Sequence, residues 1–158
     1  MNDKRSINDA IKRMKNPYRV IADEIKNRLY IDLYLTEPEQ AEKIEDDIWE
    51  KAIQLKVGWG CIVNYKEMDV PLTIELLKKA ETVMSFLKPL GMGQLVRVLT
   101  EEQSSFNDEL KSRSMKIGGY EGVVTRTIKD ANTILDRIPN YVSSHQISNE
   151  LFANYQSW

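Results

Sequence analysis

Two short runs, Cys61-Ile-Val63 and Leu95-Val-Arg-Val-Leu99, carry little of the polar alternation of a half-exposed strand, and each is followed by a stretch with helical periodicity. Apolar strands of this kind suit the centre of a parallel sheet covered on both faces. Parallel neighbours need a crossover connection, usually a helix. The intervening sequence supplies such helices, so an α/β domain is the expected class.

The pattern extends in both directions. Arg19–Ile25 and Arg28–Leu35 flank Lys26-Asn27, which reads as a two-residue hairpin turn because Asn tolerates positive φ. In the second strand Leu29, Ile31, Leu33 and Leu35 alternate with Tyr30, Asp32 and Tyr34, giving one apolar and one half-polar face. Thr36 is placed to cap a helix beginning near Pro38, with Glu39 at capping-box spacing and Ala41, Ile44, Ile48, Ala52 and Leu55 as its buried stripe. Gly58-Trp-Gly60 ends it. The next helix is predicted over Leu72–Leu87, with Leu77, Ala80, Met84 and Leu87 inward and Pro89 and Gly91 after it. Ser104 or Ser105 caps a shorter helix with Phe106 and Leu110 inward, and Gly118-Gly119 stops it. Gly122–Thr127 is the last strand, and a final helix aligns Ile128, Ala131, Leu135 and Ile138 ahead of Pro139. The expected fold is an open mixed sheet of about five strands, an N-terminal hairpin then parallel strands, with about four helices.

This domain is expected over residues 18–138, within the usual size of one domain. Residues 1–17 read as a helical arm with Ile7, Ile11 and Met14 on one stripe, ended by Asn16-Pro17. Residues 139–158 read as a helical tail in which Ile147, Leu151, Tyr155 and Trp158 recur at helical spacing beside Phe152. Both ends are candidates for self-association, because apolar stripes of this kind seek a surface to cover them.

A net charge of −2 gives no overall attraction to nucleic acid or anionic membrane. The charge is uneven: Lys4, Arg5, Lys12, Arg13 and Lys15 crowd the first arm, whereas seven acids lie between Glu37 and Glu50. A single cysteine rules out a disulfide within the chain, and a single histidine leaves no soft or imidazole metal site. Without a membrane-length apolar run or a signal peptide, a reducing cytoplasm is the expected compartment. Lys111, Arg113 and Lys116 lie close in sequence but lack the aromatic platform that single-stranded nucleic acid needs.

Catalysis is not expected. Cys61 sits inside an apolar strand, where a thiol is inert, and His145 lies in a polar connection. Asp46 and Asp47 are adjacent on a helix and point apart, and Glu42 with Asp46 forms an acidic face. The glycine pairs precede strands instead of opening helices, so they do not form phosphate cradles.

The order of elements resembles the STAS domain, the family named for sulfate transporters and anti-sigma-factor antagonists, in a form close to its stand-alone bacterial members. The stretches that carry the resemblance are Leu29-Tyr-Ile-Asp-Leu-Tyr-Leu-Thr-Glu-Pro-Glu, Cys61–Glu75, Leu95-Val-Arg-Val-Leu and Gly119-Tyr-Glu-Gly with Ile128-Lys-Asp-Ala. It implies a non-catalytic regulatory module that binds protein partners, without cofactor, nucleic acid or membrane insertion. It also implies an interaction or switch loop at Asp69, Val70, Pro71, Thr73 and Glu75. Asp69 matches the family aspartate, but Val70-Pro71 stands where the phosphorylated serine is expected, and Thr73 is the nearest hydroxyl. Two other readings remain: a self-assembling structural subunit built on the two ends, and a sensor of a nucleotide or lipid bound near Asp69.

Overall fold

Five strands hydrogen-bond in chain order: Tyr18–Asp23 (β1), Arg28–Leu33 (β2), Trp59–Asn64 (β3), Met92–Val98 (β4) and Val123–Thr125 (β5). β1 runs antiparallel to β2, and every later pair is parallel. Helices Ile44–Ala52 (α1), Ile74–Leu87 (α2), Ser104–Gly118 (α3) and Ile128–Arg137 (α4) connect or follow the strands. This is the mixed five-stranded α/β sheet expected from the pattern. The computed structural model describes residues 16–68 and 73–138. The expected terminal helices, with Ile7, Ile11, Met14, Leu151, Phe152, Tyr155 and Trp158, lie outside the described residues, as do Asp69, Val70 and Pro71.

The two sheet faces are unequal. Leu29, Ile31, Leu33, Leu35, Cys61, Val63 and Leu95 point to the main core, closed by Ile44 and Ile48 of α1 and by Leu76 and Leu87 of α2. Ile62, Val96 and Val98 point the other way and are covered by Ala131 and Leu135 of α4. Central strands buried on both faces explain why their sequences lack alternation. The polar face of β2 also lies against α4: Arg28 is buried and donates to Asn132 and to Asp136, and the Tyr30 hydroxyl donates to Asn132 Oδ1 at 2.8 Å. The Arg28 guanidinium holds the Asp136 carboxyl below its ordinary range. On the same strand Asp32 is paired with Arg19 of β1 at 2.7 Å.

Several boundaries differ from the sequence reading, each for a local reason. The hairpin turn spans four residues, because Asp23 still pairs with Arg28, Asp23 Oδ1 accepts from Lys26 N, and Asn27 alone takes positive φ. Glu37, not Thr36, begins the first helical turn, in a reciprocal capping box with Gln40; that turn is a 3-10 helix over Pro38–Ala41, and α1 follows separately. α2 begins at Ile74, since Thr73 is extended and acts as its cap. Its buried stripe is Leu76, Met84 and Leu87, while Leu77 and Ala80 are half-buried at the margin. α3 is fifteen residues long and not the short helix expected, because a 3-10 turn at Glu101–Gln103, capped by Thr100, feeds directly into it.

Candidate functional site

Open α/β sheets place ligands beyond the carboxyl ends of their parallel strands. Here, among the described residues, side-chain hydrogen bonds bridge the strand ends at that edge. Lys66 Nζ donates to the Arg126 carbonyl at 2.8 Å, Arg126 donates to the Leu99 carbonyl, and Gln103 Nε2 donates to the Tyr65 carbonyl at 2.8 Å. These bonds staple the ends of β3, β4 and β5 together.

The start of α2 holds the described part of the expected interaction loop. Thr73 Oγ1 accepts a hydrogen bond from Leu76 N at 3.1 Å, so the hydroxyl serves the helix end in the manner of an N-cap. Glu75 is exposed, and Ile74 beside it is 72% exposed. The outward face continues through Lys78, Thr82 and Ser85. Lys79 and Glu81 of the same helix bridge to the neighbouring helices. Lys79 pairs with Glu45 of α1 at 2.8 Å, and Glu81 pairs with Arg113 of α3. Arg113 therefore belongs to an ion-pair network that also reaches Glu109, not to a free basic patch.

A second surface lies between α1 and α2. Trp49 is 48% exposed and stacks on Phe86 with ring centroids 5.8 Å apart. Ile53, one helical turn further along, is 67% exposed. Around these apolar groups α1 carries exposed Asp46 and Glu50, with exposed Glu42 and Lys43 just before it. The described chain enters at this same helix, where the Tyr18 hydroxyl donates to Asp47. Burial, with that contact, raises the phenol well above its ordinary value, so it stays protonated throughout the neutral range. Sequence reading recognised the acids but passed over Trp49, which lies off the periodic stripe and therefore faces outward.

The third feature is internal. Arg97 of β4 is 1% exposed; its guanidinium donates to the Glu121 carbonyl at 2.7 Å and to Ser114 Oγ at 3.0 Å. The Tyr65 hydroxyl end is enclosed beside it, although part of the residue reaches the surface. Burial raises the Tyr65 and Tyr120 hydroxyls, with the guanidinium pulling against it. Cys61 is nearby and fully buried, and burial pushes its thiol up to about 12. Arg97 was legible only as part of an apolar run; a charge inside a strand covered on both faces is the signal that marks it.

The chemical consequence for Cys61 is inertness. At pH 8 only about one thiol in ten thousand is thiolate when its pKa is near 12, and the buried sulfur is out of reach of reagents. Labelling with an aromatic disulfide is expected to proceed only as the protein opens, at least about a hundredfold slower than for the urea-unfolded chain. Rapid labelling of the native protein would show that β3 is not closed over as described.

No acid, base and nucleophile converge among the described residues, and no group of three or more metal-binding side chains occurs among them. His145 lies outside the described residues. Among the described residues no helix is long and apolar enough to cross a membrane. No protein-family model matches the chain, and no curated protein or solved structure matches it.

Proposed function

We propose that the chain is a non-catalytic regulatory module of STAS type that works by binding another protein, in a reducing cytoplasm. The docking face is the outer surface of α1 and α2, with the exposed start of α2 at Ile74 and Glu75 as a further contact. The observation that carries this reading is the exposed Trp49, stacked on Phe86 and followed by exposed Ile53, in a helix whose remaining outward residues are acidic. Aromatic residues exposed in this way are the usual anchors of protein interfaces, and surrounding charges steer the encounter.

The partner chemistry that fits is a basic segment with an apolar stripe. The chain's own residues 1–15 have that composition, with five basic residues beside Ile7, Ile11 and Met14. Self-assembly through this segment of a second copy is the second reading, favoured by the entry of the described chain against α1 at Tyr18.

A fluorescently labelled peptide of residues 1–15 is therefore a suitable probe. Anisotropy titration of the full chain should show binding that weakens with added salt. The double variant Trp49→Ala/Ile53→Ala should bind at least about tenfold more weakly, the loss expected for an aromatic anchor. Equal affinity for the variant, or no measurable binding, would remove the basis for this docking face. Light scattering of the full chain and of a chain lacking residues 1–15 separates the two readings: an oligomer that dissociates on deletion favours self-assembly, and a monomer in both cases favours a separate partner.

A further inference from the structure

The sheet face opposite the main core is only partly closed. Its covering helix is α4, which packs on β3, β4 and β5. Beyond that helix lie β1 and β2, where Ile21 is 43% exposed and pairs across the strands with half-buried Tyr30. Tyr30, Ile134 and Ile138 are half-buried against the α4 cluster, so an apolar strip continues from the helix margin to the sheet edge. We propose that residues 139–158 fold back over this open part of the sheet, beside α4, and cover Ile21 and Tyr30 with their apolar side chains.

The chain leaves α4 in the right place. Arg28, the first residue of β2, donates to Asn132 and to Asp136, so the end of α4 sits over the start of β2. Ile138, the next residue but one, belongs to the same face. β1 is the edge strand beside β2. The length also suits. As a helix, residues 147–158 would be about 18 Å long, close to the roughly 20 Å of a six-residue strand such as β1. Residues 139–146 can span about 26 Å when extended, whereas neighbouring strands lie only about 5 Å apart.

Composition decides between the possible occupants. Residues 139–158 carry Ile147, Leu151, Phe152, Tyr155 and Trp158, and their one acidic or basic side chain is Glu150. The open face offers little to a charged segment, because Arg19 is already paired with Asp32, and Arg28 with Asp136. Residues 1–15, with five basic side chains, meet the other side of the sheet. They enter at Tyr18, which packs on the main core and donates to Asp47 of α1. A second copy of the chain competes poorly at micromolar protein, since a tethered segment acts at an effective concentration on the order of millimolar. The tail is thus the domain's own cover, and the Trp49 surface stays open on the opposite side.

Hydrogen exchange of the full chain at micromolar concentration, read by mass spectrometry, tests this. Amides of residues 147–158 should exchange at least about tenfold more slowly than in a free peptide of residues 139–158. Ile21→Asp should bring them to the free-peptide rate while β3 and β4 keep their protection. Ile53→Asp, on the α1 surface, should leave the tail protected. Because Ile21→Asp can weaken the edge strand itself, Leu151→Asp is the second variant. It should speed exchange across β1 and leave α1 and α2 unchanged. The proposal is overturned if the wild-type tail exchanges like the free peptide, if Ile21→Asp folds and leaves it protected, or if Leu151→Asp leaves β1 unchanged. It is also overturned if Ile53→Asp releases the tail, which would put the tail on the α1 surface. Protection that falls on dilution, together with the mass from light scattering, would overturn it too, since the covered surface would then belong to a second copy.

Discussion

Replacing Trp59, the largest fully buried side chain among the described residues, by Ala is expected to cost about 4 kcal/mol. Trp59 is fully buried at the start of β3, and its indole Nε1 donates to the Leu90 carbonyl at 3.2 Å. Removing it opens a large cavity in the main core, and it leaves the Leu90 carbonyl at the turn before β4 without this donor. Large-to-small aromatic changes in cores typically cost about 3–5 kcal/mol, against total stabilities of about 5–15 kcal/mol. Urea unfolding should therefore show a sharply lower midpoint at an unchanged slope. Trp59→Phe should recover roughly half of the loss, because the ring volume is largely restored while the hydrogen bond is not. An Ala variant within about 1 kcal/mol of wild type would contradict the packing described.

The second large effect concerns Gly91, at the same corner. Its φ is +109°, and a Cβ built there would approach Val57 Cα to 3.2 Å and Trp59 Nε1 to 3.4 Å. The residue is also pinned on both sides, since its carbonyl accepts from Gly58 N and its amide donates to the Lys88 carbonyl. Gly91→Val combines an unfavourable backbone region, about 1–3 kcal/mol, with overpacking of about 1–3 kcal/mol. A total near 3 kcal/mol is expected from chemical unfolding. Gly119→Ala is the control: its φ is +72°, but no atom lies within 4 Å of the added Cβ, so only the backbone cost of about 1 kcal/mol should appear. Similar costs at the two positions would mean that the approach to Val57 and Trp59 is not tight.

These two residues show where local sequence stops being informative. Gly58 and Gly91 read correctly as stops before strands, because glycine and turn chemistry act over a few residues, whereas Gly60 and Gly93 lie inside β3 and β4, which begin earlier than the apolar runs suggest. That the two stops meet, with Trp59 filling the space between them, depends on the parallel pairing of β3 with β4. The candidate sites divide in the same way. Thr73 was readable as a helix-start residue, and its hydroxyl does cap α2. Arg97 and Trp49 were not singled out: one interrupts an apolar strand, the other sits off an amphipathic stripe, and only their neighbours give them meaning.

By itself the sequence determined the class of fold, the hairpin followed by parallel strands, the core face of β2 and the stripes of α1 and α4. Those features follow from periodicity, which is a property of the chain's own helical and extended geometry. The tertiary structure decided which helix covers which face. It also settled that Lys79 and Glu81 pair with neighbouring helices, and that Arg97 is enclosed with its guanidinium on the Glu121 carbonyl and the Ser114 hydroxyl. Each of these depends on residues far apart in sequence that meet only when the sheet is assembled, and no local pattern encodes such a meeting.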